Sequence, residues 1–182
     1  MSPGWVCPEC GLDYGTVAPG DALAAVRSFP RRYRALLTAL DPEEDGESVV
    51  RRRPAPGTWS AVEYTAHVGD MLDQLATVIR KVVVESNPPL SMWDADQRAA
   101  EQRYGDWDST EALFALDHAC ARLAAVLESV DPGDWTRTGT LELGQRDALT
   151  LARDAVHEGA HHLRDVERGL RAVRRRPVAE DD

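Results

Sequence analysis

Four stretches of the chain repeat their apolar residues with the 3.6-residue period of an α-helix, and none sustains the alternation of a strand. A helix with one apolar stripe has to bury it against another element, which leaves few architectures. The first stretch covers about 20–40, with Leu23, Val26, Tyr33, Leu36, Leu37 and Leu40 inward, and Pro30 is predicted to kink or split it. The acidic "DPEEDGE" and the following "RRRPAPGT" carry too much proline and charge to be helical. The second stretch opens on a capping box, Ser60 with Glu63, and continues to about 85, where "SNPPL" ends it. The third opens on Asp108 and Glu111 and runs to about 130, with Leu113, Leu116, Cys120, Leu123, Leu127 and Val130 inward. The fourth covers about 147–175, its apolar set being Leu149, Ala152, Val156, Ala160, Leu163 and Leu170. Helices of about 20–28 residues with such stripes predict an all-α four-helix bundle. The polar link 87–107 has the length of a functional lid and room for a short helix, and 136–146 suits a short extended piece. The bundle is assigned to residues 18–176, after an N-terminal extension at 1–17 and before a disordered tail at 177–182.

A chain of 182 residues is the size of one domain. No apolar run approaches the ~20 residues that span a bilayer, and "MSPGWVCPECGLDY" has neither the basic nor the apolar region of a secretion signal. A cytoplasmic location is expected, where three cysteines serve as free thiols or metal ligands. The net charge of -10 repels nucleic acid and anionic lipid, and the local clusters "RSFPRRYR", "RRR" and "RAVRRR" read as solvated helix faces and ends.

Chemistry concentrates in "AVHEGAHHLRDV", residues 155–166. Counted at 100° per residue, His157 and His161 share one strip at the shoulder of the apolar stripe, together with Arg164 and Arg168. Residues at i and i+4 have Cβ atoms about 5–6 Å apart, close enough for two imidazoles to meet on one ion. His162 points with Glu158 and Asp165 toward the polar side and reads as a surface histidine, as does His118. His67 sits at the edge of the second helix's stripe (Tyr64, Val68, Met71, Leu75, Val78), beside Glu63 and Asp70. Histidines at the core–solvent boundary of two helices are where a catalytic metal with an open position would sit. "HEGAH" also satisfies the H-E-x-x-H of a zinc protease, with Glu158 as general base. That motif needs a third ligand, and the acids downstream are only Asp165 and Glu167, off the strip, and Glu180, Asp181 and Asp182 in the tail.

The stretches "GTWSAVEYTAHVGDM" and "AVHEGAHHLRDVERGL" resemble the DinB/YfiT-like superfamily of bacterial metal-dependent four-helix bundles. The family pattern is W-S-x-x-E-x-x-x-H opening the second helix and H-x-x-x-H on the last, matched by Trp59, Ser60, Glu63, His67, His157 and His161. The resemblance implies a three-histidine site of His67, His157 and His161 for zinc or nickel, completed by water. It also implies a small-molecule substrate, with activities such as thiol S-transfer or thiol-dependent isomerisation using a low-molecular-weight thiol. Arg164 and Arg168, further along the histidine strip, are candidates to bind a substrate carboxylate.

"CPECG", residues 7–11, has the Cys-x-x-Cys turn of a zinc knuckle but lacks the usual second pair. Three readings stand open for Cys7 and Cys10: a structural zinc completed by other residues or a second chain, a redox-active dithiol, or a metal-free remnant. The leading expectation is a metal-dependent thiol transferase or hydrolase. The alternatives are a non-enzymatic bundle acting as a metal-binding homodimer and, less favoured, an H-E-x-x-H metalloprotease.

Overall fold

The computed structural model describes residues 5–39, 45–142 and 144–175; Leu40, the acids Asp41, Glu43 and Glu44, and the tail with Glu180, Asp181 and Asp182 lie outside them. The elements, in order, are α1 (Pro19–Thr38), α2 (Gly46–Arg51), α3 (Ala61–Val84), α4 (Ala95–Gln102), α5 (Ser109–Glu128), strands β1 (Thr138–Leu141) and β2 (Gly144–Asp147), and α6 (Ala148–Arg175). Helices α3 and α5 start where the sequence supplies a cap. At α3 the Ser60 hydroxyl accepts from the Glu63 amide at 3.2 Å while the Glu63 carboxylate accepts from the Ser60 amide at 2.8 Å. At α5 Asp108 and Glu111 exchange the same pair of bonds, at 2.8 and 2.9 Å.

Two local expectations change. Pro30 does not split the first helix, because Phe29 and Tyr33 on either side of it are both fully buried and packing holds the two halves in one rod. Between the two proline- and charge-rich clusters, "GESVVR" forms α2, capped by Asp45 and anchored by the buried Val49 and Val50.

Helices α1 and α3 each pack on both α5 and α6, so α1 lies diagonally across from α3. Two glycines set the closest crossings. A Cβ on Gly69 of α3 would stand 3.2 Å from the backbone nitrogen of Leu116 on α5, and one on Gly159 of α6 would stand 2.2 Å from the Phe29 ring of α1. The Tyr33 hydroxyl donates to the Gly159 carbonyl at 2.9 Å, fixing the α1–α6 contact at the histidine-bearing turn. The 136–146 stretch forms an antiparallel hairpin, with Thr138 opposite Asp147. The preceding link docks on it through Leu90, whose amide donates to Thr140 at 2.8 Å.

Residues 5–17 fold back over α6. The Cys7 amide donates to Leu12 and the Gly11 amide to Cys7, with Gly11 in the left-handed conformation that closes the knuckle turn. Arg153 on α6 donates to the Val17 carbonyl at 3.0 Å.

Candidate metal centre

The α3 motif is built to place one imidazole. The capping box fixes the first turn, and Glu63 is also gripped by the Arg53 guanidinium, Nε to Oε2 at 2.9 Å. Burial pushes the Glu63 carboxyl up, but Arg53 and the Ser60 amide draw it below its ordinary value. Its stabilising contribution is therefore present above about pH 4.3 and is lost as pH falls below that. Glu63→Gln is expected to flatten the acid limb of the stability–pH curve, measured by urea unfolding at successive pH values. An acid limb identical to wild type would show that the Arg53 pair contributes nothing.

One turn further along α3, His67 is 3% exposed. Its ring packs against Trp59 at 5.1 Å, Trp93 at 6.0 Å and His162 at 5.0 Å between centroids. Its Nδ1 is buried and makes no hydrogen bond, and its Nε2 lies 3.6 Å from the Glu158 carboxylate. The same carboxylate oxygen is 3.3 Å from His162 Nε2. One ligand atom from each of His67, Glu158 and His162 lies within 4.8 Å of the others. On the far side of the His162 ring, Asp165 meets Nδ1 at 2.9 Å. A carboxylate there sets the ring orientation and leaves Nε2 facing inward, the usual outer support of a metal-binding histidine.

The electrostatics suit a cation. Burial alone would raise the Glu158 carboxyl, yet His162 and His67 hold it well below the usual carboxylate range. Burial would lower His162, yet Asp165 and Glu158 raise it to about 9. Two imidazoles, one of them with an orphaned ring nitrogen, and a carboxylate are a donor set that zinc or another first-row divalent ion accepts.

His157 and His161 face elsewhere. They converge with Cys7 and Cys10, all four ligand atoms within 4.8 Å of one another. The expected grouping of His67 with His157 and His161 is thus not the one the fold assembles: His67 meets the residues one position along, Glu158 and His162. Offset by one residue, the two i,i+4 pairs on α6 point about 100° apart. His157/His161 face the N-terminal segment and Glu158/His162 face α3. His162 is half-buried in this centre rather than a surface residue, whereas His118 is exposed. Cys120 is buried in α5, where desolvation pushes its thiol up to about 12.

Arg164 and Arg168 do lie on the histidine strip, but both are engaged by the knuckle. Arg164 donates to the Glu9 carbonyl at 3.0 Å and Arg168 to the Glu9 carboxylate at 3.0 Å. The H-E-x-x-H arrangement loses its basis for the same reason. Its histidines meet two thiols, and its glutamate faces the other centre.

Beside the His67 centre is a cavity of about 400 Å³ walled by Trp59, Tyr64, Met71 and Asp96. The link 87–107 lines one side of it: Trp93 packs on His67, and Arg98 of α4 and Tyr104 just beyond that helix both donate to Asp70 of α3, at 2.7 and 2.6 Å. No described helix is long and apolar enough to cross a membrane.

Fold and donors define a helical bundle with an imidazole–carboxylate cluster between facing helices. The chain belongs to the DinB superfamily, whose family profile matches residues 25–166. Among solved structures it is similar to YfiT from Bacillus subtilis, described as a probable metal-dependent hydrolase with an unusual four-helix bundle topology. That match has a TM-score of 0.74 and 12% identity over 86% of this chain and 89% of that one. It is also similar to the mycothiol-dependent maleylpyruvate isomerase, at TM-score 0.64 and 16% identity over 84% of this chain, which spans 62% of the isomerase. A third, the four-helix bundle protein TT2238, aligns at TM-score 0.60 and 22% identity over 83% of this chain and 99% of that one. No curated protein matches the sequence significantly.

Proposed function

We propose that the protein is a divalent-metal-dependent enzyme of the DinB type that acts on a small molecule, with zinc or nickel held by His67, Glu158 and His162. The reading rests on one observation above all, the convergence of these three donors from α3 and α6 at the edge of a solvent-open cavity. Three protein ligands leave a coordination position free, the pattern of catalytic rather than structural sites. A divalent ion in such a place lowers the pKa of a thiol or water bound to it and so supplies a nucleophile near neutral pH.

The chain's own residues do the rest. Asp165 holds the His162 ring in one orientation through Nδ1. Trp59 and Trp93 wall His67 off from bulk water. Tyr64, stacked on His162 at 5.2 Å, and Met71 offer an apolar surface to a small organic substrate. Hydrolysis and transfer to or from a low-molecular-weight thiol both fit that arrangement, and the functions described for YfiT and for the isomerase support the pair. A cytoplasmic setting accords with free cysteines and a thiol co-substrate.

The test is metal removal. Chelator-stripped protein is expected to lose activity against a panel of thiol-acceptor electrophiles and small esters or amides, and to regain it when zinc or nickel is added back. Metal-loaded protein inert across that panel would favour the non-enzymatic metal-binding bundle.

A further inference from the structure

The N-terminal knuckle belongs to no part of the reaction above, yet its two cysteines are buried, Cys7 at 3% and Cys10 at 9% exposure. Such thiols could simply pack as small apolar groups, but their surroundings are polar. Cys7 Sγ is 3.6 Å from His161 Nδ1, and the Cys10 amide points at Cys7 Sγ at 3.5 Å, as backbone amides do in metal knuckles. His157, enclosed by Trp5 and Tyr14 at 5.5 and 5.7 Å, has both ring nitrogens buried and neither hydrogen-bonded. An imidazole with two orphaned nitrogens in a sealed pocket is costly to leave so.

We infer that Cys7, Cys10, His157 and His161 form a second metal site, a four-ligand Cys2His2 zinc centre that clamps the N-terminal segment to α6. Two thiolates and two imidazoles satisfy tetrahedral zinc completely, so the site is structural and closed to substrate. Outer contacts fit the role. Asp165 lies 3.6 Å from His161 Nε2, and Arg164 and Arg168 hold Glu9, one of the two residues between the cysteines, against the helix. The ion would tie together residues more than 140 positions apart and fix the turn of α6 that also carries Glu158 and His162.

The probe is cobalt(II) in place of zinc, with full-length protein purified under reducing conditions from cobalt-supplemented minimal medium. A strong thiolate-to-cobalt charge-transfer absorption with the intense visible bands of a four-coordinate ion is expected. The absorption should persist in His67→Ala and His162→Ala and vanish in the double variant Cys7→Ser/Cys10→Ser, with the cobalt content falling by one ion per chain. The His67 centre has no sulfur donor, so loss of its metal cannot imitate this result. If the double variant does not fold, the wild-type spectrum decides alone. Cobalt bound without thiolate absorption, no cobalt bound, or a thiolate band that survives in the double variant overturns the inference.

Discussion

Gly159→Ala is expected to destabilise the protein by about 3 kcal/mol, at the upper end of the usual cost of overpacking a core. At this chain length that is a fall of roughly 6–12 °C in melting temperature. Intrinsic propensity points the other way, since alanine gains about 1 kcal/mol over glycine inside a helix. Sterics decide. The new methyl would lie 2.2, 2.3 and 2.7 Å from three atoms of the Phe29 ring, which is itself fully buried on α1 beside Tyr33. Neither ring can yield without displacing α1. Gly169→Ala, ten residues along the same helix, is the control: its methyl meets nothing nearer than Pro54 at 3.7 Å, so propensity alone should make it neutral or slightly stabilising. Equal unfolding midpoints for the two variants would show that α1 and α6 do not approach as described. Gly159 also lies between the paired ligands of both centres, so metal content should fall along with stability.

Glu158→Ala is expected to abolish metal binding at the His67 centre and, with it, activity. Loss of a supporting contact alone costs about 10–100-fold in metal affinity, and a ligand should cost at least that. The outcome separates two chemistries. In a zinc protease the glutamate of H-E-x-x-H acts on water and binds no metal, so its removal would silence the enzyme and leave metal content unchanged. Here the carboxylate faces both His67 and His162, so activity should vanish and the zinc content fall by one ion per chain, from the His67 centre alone. Equilibrium dialysis with zinc, beside the activity panel, measures both. A zinc content equal to that of the wild type with lost activity would restore the protease reading of Glu158.

Much of the bundle was legible in the sequence because the information was local. Ser60/Glu63 and Asp108/Glu111 announce the starts of α3 and α5, and both boxes form. Local reasoning failed where packing decided. Pro30 continues a helix because its neighbours are buried, and Val49–Val50 make a helix of six residues that no periodicity could reveal. On α6 the buried arc is wider than one stripe because the helix meets both α1 and α3. Leu151, Val166 and Val173 are therefore inside, while Leu149 is only half-buried.

The site shows the same division. The i,i+4 rule locates the ligand-bearing turn of α6, but that turn carries two such pairs, His157/His161 and Glu158/His162. Which of them faces α3 depends on the rotation of α6 about its axis, a tertiary quantity. One local signal could have raised the second pair: an acid and an imidazole four residues apart, backed by Asp165. The convergence of Cys7 and Cys10 with histidines at the other end of the chain has no local signature at all.

The claim that α6 divides its ligands between two centres is tested most directly by a crystal structure with anomalous diffraction at the zinc edge. Two peaks per chain are expected, one bounded by His67, Glu158 and His162, the other by Cys7, Cys10, His157 and His161. A single peak ligated jointly by His67, His157 and His161, with the cysteines apart from it, would contradict that claim.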